Sequence, residues 1–487
     1  MSDKNDDPNV DPNVDPQTGQ RPNHEQRQAP EVVQLYKKRE KIYPRAVTGL
    51  FAMWRKIGVA TLLGLFYLLC WIEINGQQIL LFDLPARKFY IFGFTFWPQD
   101  FFYLTVLLII AALGLFFVTT LFGRVWCGYA CPQTVYTEIF LWMERLTEGD
   151  RGRQMKLDKE PWGANKFGRK GAKHFLWIVF ALWTGFTFVG YFTPIRELGT
   201  RILGDGSLGG WEAWWIFFYG FATYGNAGWM REQVCLYMCP YARFQSAMFD
   251  KDTLIVAYDE KRGESRGARK RGDDHKAKGL GDCVNCTLCV QVCPTGIDIR
   301  DGLQYQCIGC AACIDVCDQV MEKMDYPKGL ISYTTERVLE EGGERPRLLR
   351  PRVLIYAGVL CSVMGALLFS VASRVPVEMD IIRDRHALYR TTNIGLIENV
   401  YTIKIYNMDQ NPQDYTLSVN GVETIELLGE SEFSVAGGGA LTHIVNVRID
   451  PFELKKTSNT IHFLLQSKTN PDIKQEEEAR FLGPAPR

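Results

Sequence analysis

The chain has 487 residues, a length that suggests several domains, and its 55 basic and 55 acidic side chains cancel to a formal charge of zero. That balance argues against a dedicated nucleic-acid binder. Apolar residues make up 47% of the chain and gather in long runs between very polar segments, as expected of a membrane protein with soluble parts.

Residues 1–34 are polar and repetitive, with DPNVDPNVDP over 7–16, and are expected to be disordered. No cleavable signal peptide is visible there. The basic, aromatic stretch that follows, with Lys37, Lys38, Arg39, Lys41 and Arg45, reads as a juxtamembrane anchor.

A transmembrane bundle is expected over 35–251, with a fifth span further on. Five apolar runs approach the roughly 20 residues that cross a bilayer: 57–74, 101–121, 174–192, 211–224 and 353–372. The fourth is short, contains Glu212 and is crowded with tryptophan. Its limits stay open: it extends through Gly228 or lies partly at the interface. Lys and Arg crowd the segment before the first run and the loop after the second. The loop after the first holds only Arg87 and Lys88, and the loop after the third only Arg196 and Arg201. By the positive-inside rule the N-terminus and residues 225–352 are cytoplasmic, and the tail after Ser373 lies on the other side.

Two matching motifs follow the second and fourth runs: Cys127-Gly-Tyr-Ala-Cys131-Pro132 and Cys235-Leu-Tyr-Met-Cys239-Pro240. Two geometries fit. In one helix, thiols four residues apart share a face. Alternatively the proline opens a new helix, placing Cys131 and Cys239 at N-termini whose dipole lowers a thiol pKa. Thiolates there suit Cu(I) or an Fe–S cluster. A single such pair is as readily explained by packing, but two matched pairs on one membrane face point to a metal or redox role. Cys70 and Cys361, alone within the first and fifth runs, read as apolar filler, and Met230 and Met238 as core.

Residues 252–282, with KRGESRGARKRGDDHKAK, read as a basic, solvated cytoplasmic linker. The ferredoxin segment, 283–330, then carries the strongest pattern in the chain. Cys283, Cys286, Cys289 and Cys293 follow C-x2-C-x2-C-x3-C-P. Cys307, Cys310, Cys313 and Cys317 repeat it, with Asp318 in place of proline. In the bacterial two-cluster pattern the fourth cysteine of each run serves the other cluster. One [4Fe–4S] cluster thus takes Cys283, Cys286, Cys289 and Cys317, and the other takes Cys307, Cys310, Cys313 and Cys293. Gly309, Ala311 and Ala312 let the backbone come close. Zinc ribbons need two pairs rather than two runs of four, and disulfides need an oxidising compartment. The clusters mark the chain as a carrier of single electrons.

The tail, 379–487, reads as β. The stretches 400–408, 415–420, 441–449 and 460–466 are rich in β-branched residues and separated by turn signals, suggesting a small immunoglobulin-like sandwich. The expected fold is a multi-domain membrane protein: an α-helical bundle of about five spans, a two-cluster ferredoxin-like α+β segment and a C-terminal immunoglobulin-like β-sandwich.

Two ferredoxin runs, two CxxxCP motifs after membrane spans, five spans, a terminal sandwich and the KIYPRAVTG lead-in together resemble the FixG/CcoG family, also called RdxA. These are cytochrome c oxidase accessory proteins of the bacterial inner membrane. The resemblance covers nearly the whole chain beyond the polar start. It implies a cytoplasmic ferredoxin part, a periplasmic sandwich and a role in maturing the cbb3-type oxidase by reducing Cu(II) to Cu(I). Cys127, Cys131, Cys235 and Cys239 would handle copper while two [4Fe–4S] clusters feed electrons. Oxidase subunits, copper chaperones or copper transporters are the implied partners. Quinol-oxidising membrane ferredoxins carry similar motifs, so quinol oxidation is one alternative, and a non-catalytic assembly or redox-sensing partner is another. The sequence has no haem motif and no nucleotide or flavin glycine motif, and it names no electron donor.

Overall fold

The computed structural model describes residues 41–485, apart from 75, 205, 343–346, 348 and 410. The segment expected to be disordered, 1–34, lies outside the described residues.

Among the described residues, four helical segments are long and apolar enough to cross a membrane: Leu50–Trp71, Pro98–Phe122, Ala164–Val189 and Pro351–Ala372. In the most apolar stretch of Pro98–Phe122 no residue is buried. Leu104, Leu107, Leu108 and Ile109 point outward there, and only lipid would solvate such a surface. The fourth expected span differs from a regular one. It is an α-helix over Gly210–Thr223 that continues as a π-helix over Tyr224–Met230. It lies close along Ala164–Val189, because a Cβ on Gly185 would stand 2.2 Å from the Ile216 carbonyl oxygen. Small residues allow that approach between helices.

The first span begins before the expected 57–74 and ends sooner. Its helix runs over Leu50–Leu68, and after a short turn the chain enters the strands Glu73–Ile74 and Gln77–Gln78. A three-stranded antiparallel sheet follows, Leu80–Asp83, Lys88–Ile91 and Phe94–Phe96. The apolar composition of the first run continues into this hairpin region, which is why the run looked longer than the helix.

The segment 252–282 is not a free linker. Its strand Ile255–Tyr258 pairs antiparallel with Ile331–Thr334, closing the ferredoxin module from both ends. Val256, Tyr258, Ile299, Ile314, Met321, Leu330 and Ile331 form the core of this module together with Cys283 and Cys289.

The C-terminal domain is a sandwich of two antiparallel sheets. One holds Glu426–Leu428, Ala440–Ile449, Ile397–Asn407 and Val377–Arg383 in that order, with Arg390–Thr391 on Ile397–Asn407. The other holds Glu432–Val435, Gln413–Asn420, Ser458–Ser467 and Lys474–Leu482. Alternate residues point inward, so Tyr401, Ile403 and Ile405 meet Leu417, Val447, Ile461 and Phe463 in one core.

Sandwich and ferredoxin module sit at opposite ends of the second span. At its start, Asp100 pairs with Arg374, and the Trp97 ring stands edge-on to Tyr406 at 5.0 Å. Lys88 also donates to the Gly438 carbonyl there, at 2.8 Å. Past its far end, Arg124 reaches the ferredoxin loop.

Candidate metal centres

The two ferredoxin runs fold as copies. Each loop has two left-handed residues at matching positions: Asn285 and Thr287 in the first, Gly309 and Ala311 in the second, with φ of 54°, 56°, 66° and 58°. Alternation of this kind turns successive backbone N–H groups to one side, making a concave site for an anionic group. Short helices then follow, Leu288–Val292 and Ala312–Met324. The first stops before Cys293-Pro294. The second runs on through Cys317 and Asp318, where proline would remove a helical N–H and clash with the preceding turn. Asp318 instead accepts a bond from the Gly329 N–H at 2.9 Å.

Two cavities result. One is lined by Cys283, Cys286, Cys289 and Cys317 among Val284, Leu288, Val316, Leu330 and Ile331. The other is lined by Cys293, Cys307, Cys310 and Cys313, with Cys289 also on its wall. These are the crossed sets read from the spacing, and they fit a pair of [4Fe–4S] clusters. Burial first, and then the charges of neighbouring cysteines, push the Cys289, Cys310 and Cys317 thiols up to about 12. Such thiols ionise readily only against a bound cation.

The second cavity lies on the membrane bundle. Gly128, inside the first CxxxCP motif, touches the Cys310 loop: a Cβ there would stand 2.9 Å from both the Cys310 Cα and the Gly309 carbonyl oxygen. Arg124, buried, donates to the carbonyls of Cys307 at 2.9 Å and Ala242 at 3.1 Å, and also to that of Tyr305. Arg55 donates to the Cys310 carbonyl. Tyr333 bonds the Gly309 carbonyl at 2.5 Å and lies 3.3 Å from the Tyr129 hydroxyl. Asp315 accepts the Phe51 and Ala52 N–H groups at 3.1 and 2.7 Å, capping the first span. Sequence reasoning missed all of these. They are single residues with no spacing pattern, and only the docked modules reveal them.

The CxxxCP motifs also fold as copies, and of the two geometries left open it is the helix start that holds. Cys131 and Cys239 are extended residues that precede Pro132 and Pro240, the first residues of the helices Pro132–Glu148 and Pro240–Met248. In each motif the second cysteine's N–H bonds the carbonyl five residues back, Trp126 or Val234, at 2.8 Å. The two motifs are knitted together. Gln133 donates to the carbonyls of Asn226 and Arg231 at 2.9 and 3.1 Å. In return Gln245 sits on the first motif, accepting from the Cys127 thiol at 3.7 Å and donating to the Gly123 carbonyl at 3.3 Å.

Cys127 feels the charges of Cys131, Cys235 and Cys239, so the four thiols share one electrostatic neighbourhood. Burial raises the Cys127 pKa to about 12 and the Cys235 pKa to about 11. Cys131 departs from the expected lowering: burial raises it, although the N–H groups of Thr134 and Gln133 pull the other way. Among the described residues no three His, Cys, Asp or Glu side chains already close on a single ion. Cys70 is buried in an apolar cluster and Cys361 is exposed on the last span.

Beside the second motif, Arg231 has φ of 42°, a left-handed conformation rare for a side-chain-bearing residue. It pairs with Glu144 at 2.7 Å, and Lys173 bridges Glu144 and Glu148 at 3.6 and 2.8 Å. All four side chains are buried.

Comparison with known proteins gives a consistent set of likenesses. A family model described as a 4Fe-4S dicluster domain matches residues 230–336. One described as a 4Fe-4S binding domain matches 104–153, and one for the IG-like fold at the C-terminus of FixG matches 367–484. The nitrogen fixation protein FixG of Rhizobium meliloti (strain 1021) is 38% identical over 435 residues, 82% of this chain and 83% of the relative. Protein RdxB of Cereibacter sphaeroides is 40% identical over 412 residues, covering 81% and 84%. Protein RdxA of the same organism is 39% identical over 403 residues, covering 80% and 84%.

Proposed function

Since the chain belongs to the FixG/RdxA family of iron–sulfur membrane proteins, we propose that it reduces Cu(II) to Cu(I) at its CxxxCP cysteines, as a step in the maturation of a cbb3-type oxidase. The protein is of oxidoreductase type and moves electrons at a membrane. The substrate and the residue roles are our reading, as are the placement in a bacterial inner membrane, the cytoplasmic ferredoxin module and the periplasmic sandwich. Copper chaperones, copper transporters or oxidase subunits are the partners this reading calls for.

Cys283, Cys286, Cys289 and Cys317 hold one cluster, and Cys293, Cys307, Cys310 and Cys313 hold the other. When bound, [4Fe–4S] clusters supply single electrons at low potential. Cys127, Cys131, Cys235 and Cys239 receive copper. Thiolates prefer the softer Cu(I), so binding there favours uptake of an electron by Cu(II). Each ion takes one electron, and no proton transfer or covalent intermediate is required. Arg124 and Arg55 position the Cys307–Cys313 loop against the first motif.

The observation that carries this reading is the contact of Gly128 with the Gly309–Cys310 backbone. It sets one cluster cavity directly against the paired cysteines. The test is a Cys235→Ser/Cys239→Ser variant of the full, cluster-loaded protein. Copper binding and Cu(II) reduction should be abolished while both cluster signals persist by EPR. Copper reduction at the parent rate would place the site elsewhere and favour the assembly-partner reading. Because the 4Fe-4S binding domain at 104–153 includes Cys127 and Cys131, iron and copper are quantified together. Iron lost along with the two cysteines would mean that this site holds iron.

A further inference from the structure

The ferredoxin module presents its two cavities unequally. The Cys307–Cys313 side is turned to Arg55, Arg124 and Gly128 of the bundle. On the other cavity Cys286 is the one exposed cysteine of the eight, and Asn285 and Thr287 beside it are exposed too.

The basic segment 261–282 is strapped to this solvent-facing cavity. Gly267 donates its N–H to the Cys283 carbonyl at 3.3 Å. Arg269 donates to the same carbonyl at 3.4 Å and to that of Gly281 at 2.7 Å, and lies 5.1 Å over the Tyr326 ring. His275 meets Asp282, the residue before Cys283, at 3.0 Å. The segment holds eight Lys and Arg against four Asp and Glu. Three of those acids are already paired within it: Asp282 with Arg262, Glu264 with Arg266 and Asp273 with Lys278. Lys270 and Lys276 are exposed and make no ion pair among the described residues. A solvated linker needs none of these contacts. Here they fix a net positive collar beside the cluster cavity nearest solvent.

We propose that this collar docks an acidic, one-electron carrier protein that delivers electrons past Cys286 to the cluster of Cys283, Cys286, Cys289 and Cys317. The proposal rests on the chain's being an electron carrier and is independent of copper. The carrier is oxidised by one electron and the cluster reduced by one, with no bond broken and no proton moved. Redox encounters use small, weak interfaces, and opposite charge raises their association rates by steering. Cys289 lines both cavities, so an electron received at the exposed side has a short onward path to the side facing the bundle.

The test uses the full-length, cluster-loaded protein in detergent and, as probe, a pre-reduced acidic plant-type [2Fe–2S] ferredoxin mixed by stopped flow. In the Lys270→Glu/Lys276→Glu variant the second-order rate should fall about tenfold at low ionic strength, as steering requires. The difference should vanish near roughly 0.5 M salt, where exposed charges are screened. Both EPR signals and reduction by dithionite should match the parent, which excludes misfolding. Equal carrier rates at low salt overturn the proposal. Lost binding to vesicles of anionic phospholipid, with an unchanged carrier rate, also overturns it and assigns the collar to lipid. A parent protein without [4Fe–4S] signals would remove the electron-carrier reading itself.

Discussion

At the residue scale, the cluster loops show how one backbone solution takes different side chains according to what it faces. The left-handed position two residues after the first cysteine of each run is Asn285 in one loop and Gly309 in the other. Asparagine tolerates that conformation, and Asn285 is free to project and accept a bond from Arg300 at 2.7 Å. Gly309 has no such room, since a Cβ would stand 3.1 Å from the Arg124 carbonyl oxygen. The glycine serves docking as much as cluster binding. The same reasoning makes Gly128 a sensitive position. Gly128→Ala should force the two modules apart, an overpacking cost of about 1–3 kcal/mol. Both EPR signals should survive while Cu(II) reduction slows, and an unchanged rate would show that this contact is not on the electron route.

At the scale of elements, the stretch from Gly210 to Met248 replaces a simple span by a helix, two π-helical segments and a new helix. π-segments concentrate at functional sites because they displace side chains from the regular helical positions. Arg231 sits between the two, in a conformation that costs about 1–3 kcal/mol, and the buried Glu144 holds it there. Glu144→Gln leaves Arg231 and Lys173 short of a buried counter-charge. Removing one partner of a buried pair typically costs about 3–5 kcal/mol. A clear drop in thermal midpoint in detergent is expected, and adding Arg231→Gln should cost less than the sum of the single changes. Additive losses would show that the two residues do not support each other.

At the scale of the whole molecule, the sandwich and the ferredoxin module are held at the two ends of the same span by Asp100–Arg374 and by Arg124. Basic loops lie with the ferredoxin end, as the positive-inside rule asks of a cytoplasmic face. Reporter fusions after Lys278 and after Asn420 should therefore report opposite sides of the membrane. The same side for both would mean that Pro351–Ala372, the candidate span between the two fusion points, does not cross.

The sequence by itself determined what repeats. Eight cysteines at fixed spacing announced a dicluster pattern, and the two crossed sets read from that spacing are the cysteines that line the two cavities, because coordination by a closed loop allows few spacings. Alternating apolar residues over 400–408, 415–420, 441–449 and 460–466 announced the sandwich, whose strands fall at Ile397–Asn407, Gln413–Asn420, Ala440–Ile449 and Ser458–Ser467. Strand Lys474–Leu482 was hidden by its run of glutamates, which mark an edge facing water. Only the tertiary structure decided what depends on contacts between distant segments. It opened new helices at Pro132 and Pro240, turned 252–282 from a linker into a strand and a collar, and set Gly128 against Cys310. Such contacts join residues far apart in the chain, as when Asp315 caps the helix at Phe51, 264 positions away. No local pattern encodes a partner at that separation, because the energy that selects it appears only when the modules pack.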